Sequence, residues 1–111
     1  MAGVRPRRGD VHWVILDPTV GSEIKKTRPA VVVSNDSCNA FGARVVVVPI
    51  TSNVTTLYPG EAKVKLQHRD ARVLGDQVRS IDKARLGKRI ARLTRQELEA
   101  VDEALRITLD L

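Results

Sequence analysis

Apolar residues along this chain come in short runs of four to five, separated by polar stretches that carry Pro, Gly and Asn. Asp10–Leu16 (DVHWVIL) is rich in β-branched and aromatic residues and stops at Asp17-Pro18, a turn signal, so it predicts a strand. Residues 17–27 hold Pro, Gly and charges and predict a loop. Pro29–Ser34 is apolar almost throughout and predicts a strand buried on both faces. Residues 35–42 predict a turn region. Arg44–Ile50 predicts a third strand, with Pro49 at a point where the ladder needs no donor. Residues 51–61 predict a second loop, and Ala62–Leu66 alternates apolar residues with Lys as a half-exposed strand does. Ala71–Ile81 predicts a strand pair or one strand bent around Gly75, and Lys88–Leu93 a short closing strand.

The pattern then changes to a helical one. Thr94-Arg95-Gln96-Glu97 has the spacing of a capping box, and Leu93 and Leu98 fall where a hydrophobic staple places them. Leu98, Val101, Leu105, Thr108 and Leu109 follow on one helical face. Short strands followed by one terminal helix predict a mainly β fold: a small β-barrel or curled sheet capped by a C-terminal α-helix.

Composition narrows the function. A length of 111 residues suits one domain, placed at residues 9–111 behind a basic N-terminal arm at residues 1–8. The arm has no apolar segment, so it does not read as a signal peptide, and no run is long enough to span a membrane. One cysteine, Cys38, fits a reducing cytoplasm. Together with two distant histidines, His12 and His68, it makes no zinc site, so no metal or cofactor is expected. The net charge of +6 predicts an anionic partner, with nucleic acid leading. That charge is uneven: residues 1–60 carry +3, residues 61–92 carry +6, and residues 93–111 carry −3. A polyanion should therefore meet the sheet rather than the helix. With aromatics at 3%, a stacking platform for single strands is not expected.

Five segments in order carry a resemblance. They are Arg8-Gly9-Asp10-Val11-His12-Trp13; Asp17-Pro18-Thr19-Val20-Gly21-Ser22-Glu23; Thr27-Arg28-Pro29-Ala30-Val31-Val32-Val33; Val48-Pro49-Ile50-Thr51-Ser52; and Asp76-Gln77-Val78-Arg79-Ser80-Ile81-Asp82-Lys83. Together they resemble the MazF/PemK toxins of bacterial type II toxin–antitoxin pairs, from about Gly9 to Leu109. The resemblance implies an SH3-like/CcdB-like barrel acting as a homodimer. It implies sequence-specific, metal-independent cleavage of single-stranded RNA, leaving a 2′,3′-cyclic phosphate. It also implies inhibition by a cognate MazE-like antitoxin, whose acidic tail crosses the RNA groove. By the same resemblance Arg28 and Thr51 are the catalytic pair and Glu23 contributes. Where many members carry Gln after the loop Glu, this chain has Ile24-Lys25-Lys26. Ser22 stands where some members have His, and Leu74 where a related branch has Arg.

The chemistry of these residue types agrees. Cleavage through the 2′-hydroxyl needs a base, an acid for the 5′-oxygen, and positive charge on the phosphorane. Arg28 offers a planar fork to two phosphate oxygens, and the Thr51 hydroxyl can donate to the phosphate. Arginine keeps its proton throughout the ordinary pH range, so Arg28 is assigned charge stabilisation and donation to the leaving oxygen, and Glu23 the role of base. Lys25, Lys26, Ser52, Asp76, Gln77 and Arg79 are the expected RNA contacts. Asp76 and Gln77 could equally serve as buried hydrogen-bonding groups, and Trp13 is expected in core or dimer packing. Gly9 and Gly21 read as turn formers rather than contacts.

Two other readings compete. The same fold hosts CcdB-like toxins, which bind DNA gyrase and cut no RNA. A nucleic-acid-binding barrel without catalysis is the second. Fold alone does not separate them; the Arg28 and Thr51 pair favours the nuclease.

Overall fold

The computed structural model describes residues 5–111, so the first half of the basic arm lies outside the described residues. The elements are β1 (Asp10–Ile15), β2 (Thr27–Val32), α1 (Asp36–Phe41), β3 (Arg44–Thr51), β4 (Glu61–Leu66), β5 (Arg69–Leu74), β6 (Arg79–Asp82), β7 (Leu86–Arg92) and α2 (Arg95–Leu109). Seven strands form one antiparallel sheet in the order β4-β5-β3-β2-β1-β7, with β6 also on β3. The sheet curls into a half-barrel, and α2 packs against β4.

The continuous apolar runs arise because the central strands are covered on both faces. Val11, Val31 and Val48 stand opposite one another across β1, β2 and β3. They join Val64, Val73, Val101 and Ala104 in the core under α2. Their neighbours Ala30, Val32 and Val47 point the other way, into a second core with Val14, Leu16, Val45 and Ile81. A polar residue in the middle of β2 would be buried whichever way it pointed.

The bend expected at Gly75 is real. β5 pairs with the end of β3 (Val73 opposite Ile50), and β6 continues along the same edge (Arg79 opposite Val47). A single 3-10 turn, Gly75–Gln77, takes up the additional residues between them. Pro49 falls opposite that turn, between the two paired stretches, where no donor is required on this edge. A Cβ on Gly75 would run into the Gly60 carbonyl, so glycine is required here by close packing.

Helix α2 starts as its sequence dictates. The Thr94 hydroxyl accepts from the Glu97 N–H, and Glu97 returns the bond to the Thr94 N–H. Residues 35–42, expected as a turn region, instead contain α1. Asn35 caps it by accepting from the Cys38 N–H at 2.8 Å. The buried Asn39 secures it by donating to the Ser34 carbonyl at 2.9 Å. Asn, Asp and Ser favour turns in isolation; here tertiary burial of Asn39 selects the helix. Gly9 and Gly21 adopt positive φ, in keeping with turns.

Candidate active site and nucleic-acid surface

Arg28 and Thr51 reach one cavity from two different strands. Arg28 lies near the start of β2, and Thr51 ends β3. The cavity measures about 490 Å³ and is also lined by Trp13, Lys26, Ser52, Gln67 and Arg69. The Arg28 Nε donates to the Lys25 carbonyl at 3.2 Å, which orients the guanidinium and leaves its outer edge for a ligand. Thr51 Oγ1 accepts from the Asn53 N–H at 3.3 Å, so its hydroxyl proton is the group left to donate. A forked cation and a hydroxyl donor on one concavity are what a phosphate oxygen pair requires.

The remaining expected residues divide. Glu23, Asp76, Gln77 and Arg79 line a second, more polar pocket of about 370 Å³, together with Ser22, Ile24 and Val78. Glu23 therefore does not line the Arg28 and Thr51 cavity, and its Oε1 already accepts from the Val20 N–H at 2.6 Å. Gln77 Oε1 accepts from the Ile24 N–H at 2.8 Å, and an Arg79 terminal nitrogen donates to the Leu16 carbonyl at 3.1 Å. Arg85 donates to the carbonyls of Ile15 and Asp17 at 3.0 and 2.6 Å. Gln77, Arg79 and Arg85 thus tie down the two ends of the 15–24 segment, a structural task that the basic run did not reveal. Lys26 lines the first cavity with φ of 69° and its N–H on the Asp17 carboxylate. Lys25 lines neither pocket.

Trp13, expected in core or dimer packing, is not in the protomer core: it is 42% exposed and faces the cavity. Its strand neighbours Val11, His12 and Val14 are fully buried, and the bulged pairing of β1 with β7 leaves Trp13 outward. The two histidines stay apart: His12 is buried in β1 with Nδ1 on the Gly87 carbonyl, while His68 sits on the exposed β4–β5 turn.

Sequence reasoning passed over Arg72. It stands directly opposite Thr51 in the β3–β5 pairing. Its guanidinium donates to the Thr56 carbonyl and lies 3.5 Å from Glu61 Oε1. Glu61 in turn accepts from the Tyr58 N–H at 2.9 Å. Arg72 and Glu61 therefore fasten the 52–60 loop beside Thr51; the sequence pattern predicts Glu61 in the 51–61 loop and Arg72 within the 71–81 strand stretch, and gives neither a role.

Much of the basic charge is matched internally. Asp10 is 2% exposed; it accepts from Arg92 at 2.6 Å and faces Arg89 at 3.6 Å. Arg8, at the end of the basic arm, pairs with Asp102 of α2 and donates its N–H to Asp36 at 2.8 Å. That N–H bond holds the Asp36 carboxyl below its ordinary range against a smaller desolvation effect. For Glu97, burial pushes the carboxyl up, but N–H bonds from Lys65 and Thr94 together bring it below its ordinary value.

Comparison with known proteins follows the same lines. Residues 7–109 match the PemK-like, MazF-like toxins of type II toxin–antitoxin systems. The chain is 42% identical to endoribonuclease MazF9 of Mycobacterium tuberculosis, over 95% of this chain and 97% of that protein. It is 39% identical to endoribonuclease EndoA of Bacillus subtilis, over 95% of both. Among solved structures, MazF from Deinococcus radiodurans superposes with a TM-score of 0.84 at 28% identity, covering 96% of this chain and 97% of that one. A mycobacterial endoribonuclease bound to its cognate antitoxin superposes at 0.80 with 25% identity, over 96% of both. These matches support the nuclease reading and not the gyrase-binding one. A curled antiparallel sheet, one C-terminal helix, and this sequence likeness over almost the whole chain agree: the chain belongs to the PemK-like, MazF-like toxins of type II toxin–antitoxin systems.

Proposed function

We propose that this chain is a toxin endoribonuclease that cuts single-stranded RNA at a defined sequence without a metal ion, through the 2′-hydroxyl, to a 2′,3′-cyclic phosphate. The observation that carries this reading is the convergence of the Arg28 guanidinium and the Thr51 hydroxyl on one open cavity. Such a site needs no protein nucleophile, because RNA brings its own. Arg28 stabilises the charge of the phosphorane and donates toward the leaving 5′-oxygen. Thr51 donates to a phosphate oxygen. Glu23 is assigned the 2′-hydroxyl proton through Oε2, the oxygen not bound to Val20; because it lines the neighbouring pocket, this role requires its loop to carry the carboxylate to the Arg28 and Thr51 cavity when RNA binds. Lys25, Lys26 and Ser52 contact the RNA on one side, and Asp76, Gln77 and Arg79 on the other. The named activities of MazF9 and EndoA support RNA as the substrate.

The toxin acts as a homodimer in the cytoplasm, and an acidic MazE-like antitoxin competes with RNA for the basic sheet face. The antitoxin-bound mycobacterial and Deinococcus structures support that partner class. No helix among the described residues is long and apolar enough to cross a membrane. The test is incubation of purified protein with a long RNA in EDTA. Cleavage that survives the chelator and disappears in Arg28→Ala supports the reading; intact RNA, or cutting that needs added metal, overturns it.

A further inference from the structure

The two-residue turn between β4 and β5 is built from residues that do not favour it. Leu66 pairs with Arg69, so Gln67 and His68 are the whole loop. Both have positive φ, 52° and 70°. A two-residue hairpin turn of this kind is normally Asn-Gly or Gly-Gly, because a side chain in the left-handed region is strained. Strain retained where glycine would relieve it points to a role for the side chain. The two residues differ in one respect: Gln67 lines the cavity that holds Arg28 and Thr51, and His68 does not.

We infer that Gln67 is a specificity-determining residue, its side-chain amide reading the edge of one nucleobase beside the scissile phosphate. The inference rests on the RNA-cleaving reading above and extends it to a position that none of the five recognised segments includes. A carboxamide presents an acceptor and two donors side by side. The exposed edges of an unstacked base present a matching adjacent pair. The turn supplies rigidity: its ends are locked by the β4–β5 pairing, so the backbone of Gln67 is fixed relative to Thr51 through β5 and β3. Trp13 and Pro29 give the cavity an apolar wall against which a base can rest.

The experiment maps cut sites on a long RNA for wild type, Gln67→Gly and His68→Gly, with melting curves for each. Both glycine variants relieve the left-handed backbone and are expected to melt at or above the wild type. Gln67→Gly keeps cutting, but its preference at one position of the recognised word falls at least about fivefold, the loss of one paired base contact. His68→Gly keeps the wild-type map. An unchanged map in Gln67→Gly overturns the inference, as does an equal change in His68→Gly, which would make turn shape rather than the amide responsible. Loss of all cutting in a folded Gln67→Gly also overturns it, since the residue would then serve the chemistry. A wild-type protein that cuts no RNA instead removes the reading on which the inference rests.

Discussion

Glu97 Oε2 accepts the backbone N–H of Lys65 at 2.7 Å, and so joins the first turn of α2 to β4. β4 is the outer strand of the sheet, and its free edge would otherwise offer this N–H to water or to another chain. The other oxygen of Glu97 completes the capping box with Thr94. One carboxylate therefore satisfies a helix end and a sheet edge together. Glutamine has only one acceptor, so Glu97→Gln must release one of the two N–H groups. The expected loss at neutral pH is about 1 kcal/mol. The sign of the pH effect follows from the depressed folded-state pKa. The stabilisation is complete above the ordinary glutamate value, about 4.3, and disappears as pH falls from there through the lower folded value. The gap in melting temperature between wild type and Glu97→Gln should therefore be constant from pH 6 to 8 and shrink below pH about 4. A gap that widens on acidification would contradict it.

That double role marks where sequence reading succeeds and where it stops. The capping box was legible because both partners lie within four residues. The bond to Lys65 spans 32 positions and leaves no local trace. The same division holds at the site. Arg28 and Thr51 are singled out by the five resembling segments, and the short apolar runs predict the strands that carry them. That Glu23, Asp76, Gln77 and Arg79 would gather in a separate pocket depended on the bend at Gly75, whose depth is set by packing against Gly60. Helix α1 was missed because its stability comes from the burial of Asn39 rather than from helix propensity.

Arg72 should matter for binding more than for chemistry. Its side chain is 14% exposed and fastens the 52–60 loop through Thr56 and Glu61. Arg72→Ala leaves Glu61 without its cation and the Thr56 carbonyl without a donor, at a cost of about 1–3 kcal/mol. Since Arg72 does not line the cavity, KM is expected to rise roughly tenfold while kcat stays within about threefold. Arg72→Lys restores the charge but not the fork, so it should fall between the two. A fall in kcat with KM unchanged would place Arg72 in the chemical step instead.

Gly75 sets the bend that separates β5 from β6. A Cβ there meets the Gly60 carbonyl, which is backbone and cannot swing aside. Gly75→Ala is expected to cost about 3 kcal/mol or more, seen as a large fall in melting temperature. Gly21, by contrast, has open space around a Cβ and only the penalty of its positive φ, so Gly21→Asn should cost less than about 1 kcal/mol. Equal losses at the two glycines would mean that the contact at Gly75 relaxes easily.

Arg28 tests whether geometry or charge stabilises the phosphorane. Its Nε is held by the Lys25 carbonyl, and the residue lines the cavity. Arg28→Ala should lower kcat by about 10²-fold or more, the scale of removing one oriented transition-state donor. If a bidentate fork is required, Arg28→Lys falls nearly as far; recovery in the lysine variant would favour simple charge.

Glu23 is separable from that pair. As the base, its loss in Glu23→Gln should lower kcat by about 10²-fold. If activity stays within about threefold of wild type, the carboxylate only ties the loop through Val20, and the 2′-hydroxyl proton leaves by another route.

Only part of the +6 charge is free to reach the RNA. Arg92 and Arg89 share the one charge of the buried Asp10, and Arg8 pairs with Asp102, so these three cations carry one net charge between them. The cavity itself is lined by three: Lys26, Arg28 and Arg69. Each phosphate neutralised on a single strand contributes about −0.7 to the slope of log K against log salt. A protomer using those three cations together with Lys25 and Arg79 should therefore show a slope of about −3.5, measured by fluorescence anisotropy on an RNA with 2′-deoxy residues that cannot be cut. Removing one of them, in Arg69→Ala, should flatten the slope by about 0.7, whereas Arg89→Ala should leave it unchanged. A slope near zero would mean that RNA is held by base contacts alone, and equal effects of the two variants would mean that the Asp10 cluster also touches the strand.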